Sequence, residues 1–220
     1  MTKALLFPLL LALAGVNPTA YAQAAQPAIA AAGEKKAAMC IGCHGIKGYQ
    51  ASFPEVHKVP MISGQGAKYI AASLAAYKKG DRKHPTMRSI AGSLSDQDMA
   101  DVAAFYEQQG KGVEAPAVLP ADVSSHAAEL LKKGNCASCH GANLSKPIDP
   151  SYPKLAGQHA DYLYVALKSY KTEGNPQVGR ANPIMGGQVK QFSNAELKSI
   201  ANYLASLPTE LHTVPQSKFR

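Results

Sequence analysis

What the 220-residue chain lacks narrows the options before any motif is read. After the first sixteen residues there is no second long apolar run, so nothing later in the chain has the roughly 20 apolar residues a spanning helix needs. No basic tail or arginine-rich stripe is present. The formal charge of +8 is shared between the two halves of the chain, whereas a nucleic-acid binder concentrates its charge. Positive charge spread this way reads as solubility with a mild preference for acidic partners. Alternating β patterns of useful length are also missing, which argues against the βαβ setting of a thioredoxin-like protein. No cysteine lies near the N-terminus, which argues against a lipid anchor there.

What is present at the N-terminus has the form of a secretory signal. Lys3 is followed by an apolar run from Ala4 to Val16, and then by Ala20-Tyr21-Ala22, with small residues where a signal peptidase reads. Pro8 interrupts the run, and about a dozen apolar residues are too few to span a bilayer. Residues 1–22 are therefore expected to be a signal peptide, and the chain from Gln23 to Arg220 a soluble, exported protein.

All four cysteines fall in two copies of one pattern, Cys40-Ile41-Gly42-Cys43-His44 and Cys136-Ala137-Ser138-Cys139-His140. C-x-x-C-H is the attachment signal for c-type haem. Two thiols three residues apart lie on one face of a helical turn, placed to add to the two porphyrin vinyl groups. The histidine that follows can then reach the iron. Three other readings compete: a disulfide in each pair, one Cys₄ zinc site, or a two-disulfide secreted domain. The first needs a βαβ setting that the chain lacks, the second leaves the two adjacent histidines unexplained, and the third would more often scatter its cysteines.

The chain also repeats itself, and a repeat must be recognised before a fold is inferred. Val59-Pro60-Met61-Ile62-Ser63-Gly64-Gln65 matches Tyr152-Pro153-Lys154-Leu155-Ala156-Gly157-Gln158. Tyr69, Leu74 and Tyr77 match Tyr162, Leu167 and Tyr170 in the same register. Leu94-Ser95 matches Phe192-Ser193 only after a short insertion into the second copy. The stretch with Gly112, Pro116 and Pro120 reads as a linker. The expected organisation is a signal peptide at 1–22, a first domain at 23–109, a linker at 110–122 and a second domain at 123–220.

Each copy reads as helices and loops. Ile70, Leu74 and Tyr77, like Leu163, Leu167 and Tyr170, follow the i, i+4, i+7 spacing of an amphipathic helix. Ser95-x-x-Asp98 and Ser193-x-x-Glu196 are capping patterns. They open last helices with buried stripes at Met99, Val102, Ala103 and Tyr106 and at Leu197, Ile200, Ala201 and Leu204. Units this small have little core of their own, and a buried haem would supply the missing apolar volume.

The repeat also points to a sixth iron ligand. Met185 is the single methionine of the second copy and sits seven residues before Phe192; Met87 sits seven before Leu94. Met61 corresponds to Lys154, Met99 to Leu197, and Met39 abuts Cys40. His84, three residues from Met87, is a rival ligand. Pro60 and Pro153 are expected to offer a fixed backbone carbonyl to the ring N–H of each ligand histidine. His57, His126 and His212 have no counterpart in the other copy and are expected at the surface, and His159 at an exposed helix start. Lys78, Lys79, Arg82, Lys83 and Arg88 suggest a positive rim around the first methionine.

Two C-x-x-C-H motifs, each followed by Pro-x-x-x-Gly-Gln, a methionine and Leu/Phe-Ser before the last helix, resemble the cytochrome c4 family over nearly the whole exported chain. The resemblance implies an all-α fold of two tandem class I cytochrome c domains, each a few helices wrapped around a covalently bound haem. It implies two haem c groups attached through Cys40, Cys43, Cys136 and Cys139, with iron ligands His44 and Met87, and His140 and Met185. It further implies a periplasmic electron carrier of a respiratory chain rather than an enzyme, held peripherally at the inner membrane. Electrons would come from a donor such as a quinol-oxidising complex and pass to a terminal oxidase. The other functional classes are the cytochrome subunit of a periplasmic dehydrogenase, of the flavocytochrome c sulfide dehydrogenase type, and a dihaem peroxidase. Methionines in both copies and the short chain argue against the peroxidase.

Overall fold

Capping explains where the longest helices start. In a computed structural model describing residues 27–112 and 125–215, Ser95 Oγ accepts from the Asp98 N–H at 3.1 Å while the Asp98 carboxylate accepts from the Ser95 N–H at 2.9 Å. Ser193 and Glu196 repeat the exchange at 3.2 and 2.7 Å. Each box satisfies two of the donors a helix start leaves open. The helices that follow are Asp96–Gln108 (α5) and Asn194–Ser206 (α10). Their expected stripes are buried, from Met99 to Tyr106 in one and from Leu197 to Leu204 in the other.

Around α5 the first unit places Ala30–Lys36 (α1), Ala38–His44 (α2), Ala67–Lys79 (α3) and Pro85–Gly92 (α4). α1 and α3 pack on α5, and α4 packs on α3. Ile70, Leu74, Ala91, Leu94, Met99, Val102 and Tyr106 form one continuous core. In the second unit Ser125–Lys133 (α6) and Ala160–Ser169 (α8) pack on α10, with Ala137–His140 (α7) and Pro183–Lys190 (α9) beside them. Its core joins Leu130, Leu144, Leu163, Val189, Phe192, Leu197 and Leu204. The expected signal peptide and most of the expected linker lie outside the described residues.

The insertion in the second copy has a local cause. α3 continues to Lys79 and stops at Gly80, whose φ of 95° is a left-handed cap that suits glycine. α8 stops three residues earlier in the repeat, at Ser169, and a loop replaces its last turn.

Among the described residues, four two-residue strands were not foreseen, because a pair of residues is too short to show alternation. Gln50–Ala51 (β1) pairs with His57–Lys58 (β2) within the first unit. Arg82–Lys83 (β3) pairs antiparallel with Gly179–Arg180 (β4) across the two units, with Arg82 opposite Arg180. The Ala181 N–H donating to the Asp81 carbonyl at 2.7 Å extends that seam. A second seam is made by the chain after α10, where the His212 N–H donates to the Ser63 carbonyl at 3.2 Å.

Candidate haem sites and their shared interface

The first C-x-x-C-H lies on α2 and the second at α7. His44 Nδ1 is 2.8 Å from the Pro60 carbonyl oxygen and His140 Nδ1 is 3.0 Å from that of Pro153. A carbonyl only accepts, so each ring carries its proton on Nδ1 and leaves the Nε2 lone pair for a metal. Burial pushes both imidazoles below their usual pKa, against the opposing pull of the proline carbonyls. Each ring is thus neutral and turned by its proline loop, as a ligand histidine must be.

Cys40 and Met87 pack against the first core, and Cys136 and Met185 against the second. Burial raises the thiol pKa of Cys40 and of Cys136. None of the four cysteines is in a disulfide. Among the described residues no three or more His, Cys, Asp or Glu side chains cluster as a metal site would need.

The methionines stand third in short helices, α4 and α9, whose starts are matched. Each opens with proline at its first position, where a missing N–H costs nothing. The capping side chain before it is His84 in one unit and Asn182 in the other. His84 Nδ1 accepts from the Met87 N–H at 3.4 Å and Asn182 Oδ1 from the Met185 N–H at 2.9 Å. His84, expected as a rival ligand, occupies the position of a helix cap.

Between the units lies a cluster absent from the sequence expectations. The Arg82 guanidinium carbon stands 4.7 Å from the centre of the Tyr77 ring and 5.8 Å from that of Tyr69. Arg180 stands 5.4 and 5.6 Å from the equivalent Tyr170 and Tyr162. Both guanidiniums reach the Tyr162 hydroxyl, Arg180 at 3.1 Å and Arg82 at 3.5 Å. Burial disfavours the Tyr162 phenolate, yet the two guanidiniums outweigh burial and hold that phenol below its usual pKa.

Arg82 therefore does not belong to an exposed positive rim. Lys83 donates to the Asn175 carbonyl of the second unit at 2.6 Å, Lys78 to the Leu94 carbonyl at 2.6 Å, and Lys79 pairs with Asp81 at 2.9 Å. Charge count alone hid this, because a basic stretch in a sequence looks the same on a rim or in an interface. His57 also departs from expectation. It is buried, with Nδ1 2.8 Å from the Glu55 carbonyl and its ring beside Tyr162, because β2 faces the second unit. His159 is the half-buried N-cap of α8.

A model of the cytochrome c family matches residues 30–109 and 124–208. Cytochrome c4 of Azotobacter vinelandii is 33% identical over 191 residues, 81% of this chain and 89% of that one. The chain belongs to the dihaem cytochrome c4 family. The crystal structure of reduced recombinant cytochrome c4 from Pseudomonas stutzeri agrees in fold, with a TM-score of 0.59 at 29% identity. That likeness covers 82% of this chain and 99% of the other. A further relative, a thiosulfate dehydrogenase electron acceptor of Stutzerimonas stutzeri, is 30% identical over 80% of this chain and 82% of its own. Membership makes the chain an electron carrier with two covalently bound haem c groups in tandem cytochrome c domains.

The residues present fit those groups. The Nε of Arg82 is buried without a hydrogen-bond partner. Among the described residues no ion pair joins Arg82 or Arg180 to a carboxylate. Two facing, partly buried guanidiniums in that state call for an anion, and haem propionates are of the required chemistry.

Proposed function

We propose that this cytochrome holds one haem in each unit and passes electrons between periplasmic redox partners, towards a terminal oxidase. Cys40 and Cys43 would form the thioethers of the first haem, with His44 and Met87 on its iron. Cys136, Cys139, His140 and Met185 would do the same in the second unit. The observation that carries this assignment is the repeated histidine geometry, Nδ1 tied to a proline carbonyl and Nε2 left free.

Haem supplies the one-electron redox chemistry, and the protein sets potential, burial and docking. The proline loops hold each imidazole by its Nδ1–H and would strengthen it as a donor to iron. Met87 and Met185 as second ligands would raise the potential and would leave no coordination place for a substrate, which favours outer-sphere transfer over catalysis. The signal-peptide pattern supports a periplasmic location. No helix among the described residues is long and apolar enough to cross a membrane, in keeping with peripheral contact at the inner membrane.

A second reading is favoured by the relative that is a thiosulfate dehydrogenase electron acceptor. In that reading the donor is a periplasmic dehydrogenase, and the chain is its cytochrome subunit or acceptor. Purification from native periplasm and membranes tests both. Copurification with an oxidase or quinol-oxidising complex supports the first, and with a dehydrogenase the second. Denatured holoprotein should keep two haems, and Cys136→Ala with Cys139→Ala should leave one. Retention of both haems in that variant overturns the attachment sites.

A further inference from the structure

Gln65 and Gln158 are equivalent residues of the repeat, both 4% exposed, and each crosses to the other unit. Gln65 Oε1 accepts from the Lys154 N–H at 2.9 Å and its Nε2 donates to the Lys154 carbonyl at 3.1 Å. Gln158 Oε1 accepts from the Met61 N–H at 3.0 Å and its Nε2 donates to the Met61 carbonyl at 2.8 Å. Only one orientation of each amide satisfies both bonds, so oxygen and nitrogen are assigned by the network. The same oxygens also accept from the next backbone N–H, Gly66 at 3.0 Å and His159 at 3.1 Å.

The residues gripped are the ones that follow Pro60 and Pro153. The Met61 N–H and the Pro60 carbonyl belong to one peptide group, and that carbonyl accepts from His44. The Lys154 N–H shares a peptide group with the Pro153 carbonyl, which accepts from His140. Each ligand histidine is therefore joined to the opposite unit through one polarisable peptide. Hydrogen bonds in series reinforce one another, more so where water is excluded. A glutamine oxygen drawing on the N–H makes the carbonyl a better acceptor, and the imidazole in turn a stronger donor to its metal.

We propose that Gln65 and Gln158 are positioning residues that cross-couple the two redox centres, each tuning the haem of the other unit. This rests on His44 and His140 being the iron ligands. Tighter imidazole donation favours oxidised iron, so removing a glutamine should raise the potential of the opposite haem. The arrangement gives each centre a built-in response to how well the two units are docked.

The test uses the full dihaem protein, with the two haems distinguished by their proton NMR signals during a redox titration. Gln158→Met should raise the midpoint of the first-unit haem and move its signals, leaving the second nearly in place. Gln65→Met should do the reverse. Amide exchange should quicken at Met61 in one variant and at Lys154 in the other. Gln158→Glu and Gln65→Glu keep an acceptor and make it stronger, so the opposite haem should shift downward instead; these variants carry the test if a methionine lets the units part. Shifts confined to the variant's own unit, equal in both units, or absent despite quickened exchange would overturn the coupling. A wild-type protein whose two haems are not ligated by His44 and His140 would remove the ligand assignment and the coupling with it. Normal wild-type spectra with uncrossed shifts would remove the coupling alone.

Discussion

Arg82 and Arg180 lie directly opposite one another across the two units, in antiparallel register on β3 and β4. Like charges do not meet this way in a partly buried seam unless something offsets them. Tyrosine faces give part of that offset, each cation–π contact being worth about 0.5–2 kcal/mol. Hydrogen bonds from both guanidiniums to the Tyr162 hydroxyl add to it, and a haem propionate would complete it. A positive charge beside a haem stabilises the reduced, less positive iron. Arg82→Gln should therefore lower the potential of at least one haem in a potentiometric titration. The shift should persist at high salt, because partly buried charges are screened less than exposed ones. Unchanged midpoints would mean that the arginines serve docking alone.

Ligation by Met87 and Met185 should give the oxidised protein a far-red sulfur-to-iron band. Met87→His and Met185→His should each remove about half of it and lower that haem's potential. Met99→Leu should leave the band intact, since Met99 is a core residue of α5. Met61→Leu should also leave it, because the clamp at position 61 uses only backbone atoms. Absorbance of the four variants settles the matter, and loss of the band in Met61→Leu would reverse the assignment of the first methionine.

How far these features could be read in advance depended on how local their causes are. The capping boxes at Ser95 and Ser193 and the stripes from Met99 to Tyr106 and Leu197 to Leu204 follow from residues within two turns. The proline carbonyls could be anticipated because ligand histidines need a fixed acceptor. The interface was not legible, since composition does not say which face of one unit meets the other. Signals existed nonetheless. Arg82 and Arg180 keep the spacing of Met87 and Met185, and Gln65 and Gln158 sit inside the strongest repeated block. A charged or polar residue kept in both copies, with no redox role of its own, is a candidate for the seam between them. Lys154, which stands where the first copy has Met61, has a cross-unit role too. Its ammonium reaches the Gly64 carbonyl at 2.7 Å and Glu210 at 2.8 Å.

Acid should loosen the first unit at the joint between α1 and α5. The Asp101 carboxylate is buried and accepts from the Lys36 ammonium at 2.8 Å, the Ile29 N–H at 2.8 Å and the Gln97 amide at 2.9 Å. The Lys36 bond, with that from Ile29, holds its pKa below the usual carboxylate range. A depressed pKa gives stability that is present above the unfolded value, about 4, and is lost as pH falls through the folded value. Thermal melts should thus weaken on acidification below about pH 4. Asp101→Asn should cost of order 1 kcal/mol at neutral pH and show a flatter decline in acid. An acid limb as steep as that of the wild type would place the responsible carboxylate elsewhere.

The same joint should be intolerant of a single methyl group. α1 has only seven residues, far fewer than an isolated helix needs to persist in water, so it holds its place by contact. That contact is closest at Gly33, where a side-chain carbon would lie 2.0 Å from the Asp101 carbonyl oxygen and 2.9 Å from Cβ of Phe105. Both obstacles belong to α5. Neither is the free end of a flexible side chain, so the helices themselves would have to separate. Separation would loosen the core contacts of Ala37 and the Lys36–Asp101 bond, which share the crossing. Overpacking of this kind costs about 1–3 kcal/mol, even though alanine is the better helix former in isolation. Gly33→Ala should accordingly lower the denaturation midpoint of the first unit. Glu34→Ala, one residue on and exposed, should stay within about 0.5 kcal/mol of the wild type. A Gly33→Ala protein as stable as the wild type would show that α1 crosses α5 at a greater distance than described.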